Sequence, residues 1–196
     1  MQYHIVGLDL SLSATGVARI RPGADRPITL SLVTSSPVPN AKYPHTLDRI
    51  RGLASRIIAA IKLGAEPDDI IVVVMEGGAF MSTTGHAHTR AGLWWLMYHL
   101  IEKFALVVVV EPSKLKRYIT GKGNAPKDLV FSSVVRNYPG IGIVDNNEAD
   151  ALGLASMASR ELGYPMEPSV QRCTPSALEG VDWPEHIIQQ RRNRNG

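Results

Sequence analysis

Tyr3-His4-Ile5-Val6-Gly7-Leu8-Asp9-Leu10 is the stretch that decides the fold, and Ile70-Ile71-Val72-Val73-Val74-Met75-Glu76-Gly77-Gly78 is its counterpart. Each is a mostly apolar run of strand length that carries one carboxylate to its end. The second run is fully apolar and rich in β-branched residues, the pattern of a strand buried on both faces in a parallel sheet. Outward from the first run, Gly16 to Arg21 and Ile28 to Val33 read as two further strands around a Pro22-Gly23 turn. Three early strands on short loops suggest an antiparallel meander.

Helical patterning takes over downstream. Leu47, Ile50, Leu53, Ile57, Ile58 and Ile61 recur at helical spacing, so Tyr43 to Leu63 reads as an amphipathic helix stopped at Gly64. Leu93, Leu96, Met97, Leu100, Ile101 and Phe104 form the stripe of a second helix, with Trp94 and Trp95 beside it. Ala105 to Val110 is another buried strand. Pro112 to Ile119 reads as a short helix, Pro126 suits the first turn of a helix running to Tyr138, and the last clear helix spans Asn147 to Leu162. The order points to an α/β fold with a mixed sheet flanked by helices. The expected organisation is a domain over residues 1–162 and a partly irregular appendage over 163–196 with a mobile basic tail.

Composition excludes several classes. A chain of 196 residues with 44% hydrophobic content is neither disordered nor too small for a core, and about 70% of its surface can be buried on folding. The single cysteine, Cys173, forbids an internal disulfide and suits a reducing compartment. No basic leader precedes the first strand, and the apolar runs are too short to span a bilayer. A soluble protein of the bacterial, or phage-infected, cytoplasm is the expectation, with no membrane partner. A net charge of +3 permits a polyanionic partner without demanding one.

The acids carry the chemistry. A carboxylate inside Ile5-Val6-Gly7-Leu8-Asp9-Leu10 costs several kcal/mol to desolvate, so backbone N–H groups, a basic partner or a metal must compensate. Asp9 and Glu76 could each simply mark a strand end and bond loop amides. Asp150, in Asn147-Glu148-Ala149-Asp150, could close a capping box on Asn147. Neighbouring strand ends can equally bring such acids together. Hard oxygen ligands gathered that way suit Mg²⁺ or Mn²⁺, and two such ions about 4 Å apart serve phosphodiester hydrolysis.

The motifs together resemble the RuvC-type Holliday junction resolvases of the RNase H-like superfamily. Gly7-Leu8-Asp9 followed by Thr15-Gly16 resembles the family's first-strand motif, Glu76 its second acid, and Asp150-Ala151-Leu152 its last-helix motif. The segment Lys114 to Lys127 resembles the stretch carrying two active-site lysines, which fall on Lys116 and Lys127. The resemblance covers about residues 3 to 160. It implies an RNase H-like mixed five-stranded sheet and a structure-selective endonuclease that nicks four-way DNA junctions as a homodimer, with Mg²⁺ or Mn²⁺, two ions per site. Asp9, Glu76 and Asp150 would be both catalytic and metal-binding, with Asn147 as a fourth ligand, and Phe80 would intrude at the branch point.

Two departures stand out. The family's fourth acid is Asn147 here, with Asp145 and Glu148 near enough to take over, and the usual Pro-Gly after the first acid is Leu10-Ser11. Such divergence suits a phage or mobile-element relative. The amide also opens a rival reading, a junction-binding protein that does not cut. Other rivals are a nuclease of the same fold acting on flaps, forks or hybrids, and an actin-like nucleotide-binding domain, for which the chain is short.

Lys114, Lys116, Arg117, Lys122 and Lys127 place five positive charges within fourteen residues. That suits salt-sensitive DNA binding, with Lys114, Arg117 and Lys122 as contacts, or a merely solvated basic face. Gly121-Lys122-Gly123 lacks Walker A spacing. His86 and His88 read as loop residues rather than ligands.

Overall fold

The computed structural model describes residues 2–78, 86–167 and 175–195, with side chains through Arg191 in the last stretch. Three strands, β1 (Tyr3–Asp9), β2 (Ala14–Ile20) and β3 (Ile28–Thr34), form the expected antiparallel meander. β4 (Ile70–Glu76) joins the free edge of β1 in parallel, and β5 (Leu106–Val110) adds in parallel to β4, giving the order β3-β2-β1-β4-β5. The five-stranded mixed sheet read from the sequence is therefore present.

Among the described residues six α-helices surround it: α1 (Tyr43–Lys62), α2 (Ala87–Ile101), α3 (Pro112–Thr120), α4 (Lys127–Asn137), α5 (Asn146–Glu161) and α6 (Glu185–Asn195). The two-residue period of β1 assigns its faces. Val6 and Leu8 pack with Leu53, Ile57 and Met97 of α1 and α2, while Ile5 packs with Leu152 and Ala155 of α5. α5 lies against the sheet's centre with twelve of its sixteen residues buried. None of the described helices is long and apolar enough to cross a membrane.

Two glycines set how closely α5 lies on the sheet. A Cβ at Gly7 would stand 1.9 Å from the Ala151 carbonyl oxygen, and one at Gly16 would stand 2.0 Å from the Asn147 carbonyl oxygen. Only hydrogen at these two positions admits the helix backbone.

Residues 175–191 are built into the fold. Ala177, Leu178, Val181, Trp183 and Ile187 join the core cluster that α5 anchors. Where the sequence suggests an irregular tail, residues 185–195 form α6, and Arg191 pairs with Glu161 at the end of α5 at 2.9 Å. The burial depends on a few isolated apolar residues in a polar stretch, which leaves no periodic signal to read.

Candidate active site

The parallel pairing of β1 and β4 runs to Leu8 opposite Met75, so one further residue sets Asp9 beside Glu76. Both acids project from the face that packs on α5, since Asp9 shares parity with Ile5 and Glu76 with Val72 and Val74. Asp9 is also the cross-strand partner of Gly16, the residue on which the first turn of α5 rests through Asn147. Asp150 lies three residues further along that helix. Three acids separated by 67 and 74 residues in the chain thus line one cleft of about 470 Å³.

The N-cap of α5 lies two residues before the one the sequence suggests. It is Asp145, which accepts from the Glu148 backbone N–H at 2.9 Å, while Glu148 Oε2 accepts from the Val144 N–H at 2.9 Å. The helix cap therefore belongs to Asp145, with Glu148 reaching back to the residue before it, and not to Asn147 and Asp150. This leaves Asp150 facing the cleft. It also occupies both residues that the sequence offers as substitutes for a fourth acid. Asn147 itself lines the cleft, its side-chain amide 3.5 Å from Asp145 Oδ2.

The electrostatics are those of crowded like charges. Burial, then repulsion from Glu76 and Asp150, pushes Asp9 up to about 8. Burial and Asp150 push Glu76 up to about 7, against the opposing pull of Lys116 and Lys127. Burial raises Asp150 to about 6, the same two lysines again pulling the other way. Lys116 from α3 and Lys127 from the first turn of α4 both line the cleft. The opposite wall comes from α2, where the Trp94 indole N–H donates to the Glu76 carbonyl at 2.9 Å and Arg90 borders the opening. Ser11 and Leu12 close the end next to Asp9.

The other expected contacts are dispersed. Lys114 donates to the Glu179 carbonyl at 2.9 Å and so is turned toward the C-terminal stretch. Arg117 and Lys122 are exposed and do not line the cleft, and neither do His86 and His88. Phe80 and Cys173 lie outside the described residues. Sequence reasoning missed Arg90 and Ser11 altogether. Single polar residues on a helix or in a turn have no pattern to betray them, and Trp94 reads from the sequence only as a residue beside its helix stripe.

Among the described residues, no three His, Cys, Asp or Glu side chains stand drawn together to hold an ion. The donor set nevertheless fits a hard divalent cation. Three carboxylates raised by burial and mutual repulsion are what such an ion would relieve, and all are oxygen donors, with the Asn147 amide oxygen as a further one.

A five-stranded mixed sheet in the order β3-β2-β1-β4-β5, flanked by helices, is an RNase H-like α/β fold. More particularly, the fold is RuvC-like. The chain is similar to the Thermus thermophilus RuvC structure, with a TM-score of 0.57 at 17% identity over 78% of this chain and 90% of that one. It is similar also to T. thermophilus RuvC in complex with Holliday junction substrate, with a TM-score of 0.54 at 17% identity and the same coverage. No family model and no curated protein matches the chain.

Proposed function

We propose that the chain is a divalent-metal-dependent endonuclease that cuts branched DNA, four-way junctions foremost, by hydrolysis. The observation that carries this reading is the convergence of Asp9, Glu76 and Asp150, all with raised pKa, on one cleft with Lys116 and Lys127. The RuvC-like fold supports it, as does the solved complex of one such protein with a Holliday junction.

In this reading Asp9, Glu76 and Asp150 hold Mg²⁺ or Mn²⁺, with Asn147 assisting through its amide oxygen. When bound, the metal neutralises the acids, makes a water more acidic and offsets charge on the leaving oxygen. Lys116 and Lys127 hold the scissile phosphate and stabilise the negative charge that grows on it. The Trp94 indole fixes the Glu76 backbone, and hence where its carboxylate starts. The acids bind metal only when ionised, so protons compete with metal in the range where they titrate. Action as a homodimer on two opposed strands belongs to the same proposal.

One observation favours a second reading. Asn147 faces the cleft, while Asp145 and Glu148 are both engaged in the helix cap. A site short of one negative charge would bind junctions without cutting them. A panel of synthetic four-way junctions, forks, flaps and RNA–DNA hybrids, incubated with Mg²⁺, Mn²⁺ or EDTA, decides between them. Metal-dependent nicking of the junction is expected. Tight junction binding with no nicking at any metal concentration selects the binding protein, and cutting confined to flaps or hybrids moves the substrate.

A further inference from the structure

The turn between β1 and β2 follows Asp9 directly, and three of its residues, Leu10, Ser11 and Leu12, line the cleft. It is held from two sides. From within, the fully buried Thr15 hydroxyl accepts from the Ser11 backbone N–H at 3.1 Å and donates to the Ser11 carbonyl at 2.9 Å. From α1, the Arg49 guanidinium donates to the Leu12 carbonyl at 2.5 Å. The same guanidinium donates to the carbonyl and the hydroxyl of Ser35, just past β3, at 3.0 and 2.9 Å. Ser35 in turn donates its backbone N–H to the Ser13 carbonyl at 2.8 Å. One planar fork therefore ties the turn and the exit of β3 to a single helix, which a point charge could not do. That helix is firmly seated, with Leu53 and Ile57 buried in the core under β1. Arg49 is not among the residues that line the cleft, so it reaches the acids only through the turn.

A second arginine of α1 supplies the contrast. Arg56 donates to the Thr34 carbonyl at 2.7 Å, at the last residue of β3, and to the Gly52 carbonyl of its own helix at 3.4 Å. Both acceptors lie outside the turn. We propose that Arg49 is a positioning residue of the cleft: by fixing the Ser11–Leu12 turn to α1 it sets the wall beside Asp9 against which the nucleic-acid strand lies. The inference rests on the nuclease reading and deepens it. A wall misplaced by about 1 Å can cost about 10²-fold in rate. Thr15 still holds Ser11 when Arg49 is cut back, so the turn loosens without unfolding and the expected loss is about tenfold.

The test compares the full-length wild type with Arg49→Ala, Arg49→Lys and Arg56→Ala by amide hydrogen exchange, thermal melting and steady-state nicking of a four-way junction in Mg²⁺. Arg49→Ala should speed exchange at Ser11 and Ala14 and lower kcat about tenfold, with KM held within about threefold. Arg49→Lys should recover part of both, because an ammonium reaches one carbonyl but lacks the fork. Arg56→Ala should lower the melting temperature about as much as Arg49→Ala while leaving kcat and exchange at the turn unchanged. Equal losses of kcat in Arg49→Ala and Arg56→Ala overturn the assignment, since general loosening of α1 would then be the cause. A loss confined to KM also overturns it, because Arg49 would then grip DNA directly. If the wild type nicks no substrate with any metal, the nuclease reading falls and this inference with it. A wild type that nicks, with kcat unaltered in Arg49→Ala, removes the inference alone.

Discussion

The two ends of α5 bury acids in opposite ways. At its C-terminal end Glu161 pairs with Arg191 at 2.9 Å, and nearby Glu167 pairs with Arg160 at 2.7 Å. Glu167 also accepts from the Tyr118 hydroxyl, and Arg160 donates to that same hydroxyl at 3.1 Å. Every buried charge there has a matched partner. At the N-terminal end Asp9, Glu76 and Asp150 repel one another, and the protein supplies two lysines for three acids. One end is complete as a protein. In the proposed reading the other is complete only when a cation enters. That asymmetry separates a structural use of buried carboxylates from a functional one, and it can be broken by mutation at either end.

The largest effect is expected at the incomplete end. Asp9→Asn should reduce metal-dependent nicking by about three orders of magnitude, since a neutral amide replaces a charged ligand where ion and phosphate meet. Junction binding in EDTA should be retained within a few-fold. If binding and fold are lost together, Asp9 belongs to the structural class and the contrast disappears.

Glu167→Ala makes the matching cut at the other end. It strands Arg160, whose side chain is 10% exposed, and should cost about 3–5 kcal/mol in denaturant unfolding. The nicking rate per folded molecule should not change. A large fall in that rate would mean that the two ends are coupled along α5. A smaller effect is expected from Lys116→Ala. It should slow nicking by about 10²-fold while altering junction affinity only a few-fold, because the lysine acts on charge that grows during reaction. An unchanged rate would remove Lys116 from the site.

The incomplete end was the more legible of the two in the sequence, for a physical reason. An acid at the end of an apolar β-branched run breaks a local pattern, so Asp9 and Glu76 announce themselves. The mixed sheet, with its early meander and later buried strands, followed from the same runs, whereas the order β3-β2-β1-β4-β5 did not. Gly7 and Gly16 matter because α5 lies on them, a contact between residues more than 130 positions apart that no local pattern encodes. The cap of α5 was misplaced because Asp145, Asn146 and Asn147 offer three capping side chains in a row, and burial of Glu148 decides among them. The complete end was hardly visible. Glu167 and Arg191 lie in a stretch without periodic apolar spacing, and only the packing of Trp183 and Ile187 shows that its last part joins the core.

The smallest prediction sharpens the contrast without mutating either end. Asp9, Glu76 and Asp150 have folded-state pKa values of about 8, 7 and 6, well above the ordinary carboxylate range. Between about pH 4 and pH 8 the folded chain therefore holds more protons than the unfolded one. Stability must fall as pH rises through that window. In EDTA the melting temperature should drop by a few degrees between pH 5.5 and pH 8. Asp9→Asn should flatten the slope, because it removes the group that titrates highest. Mg²⁺ or Mn²⁺ should raise the melting temperature more at pH 8 than at pH 5.5, since only the ionised acids bind it. A metal-free melting temperature that instead climbs steadily to pH 8, in the wild type and in Asp9→Asn alike, would mean that the three carboxylates are as well partnered as those at the far end of the helix.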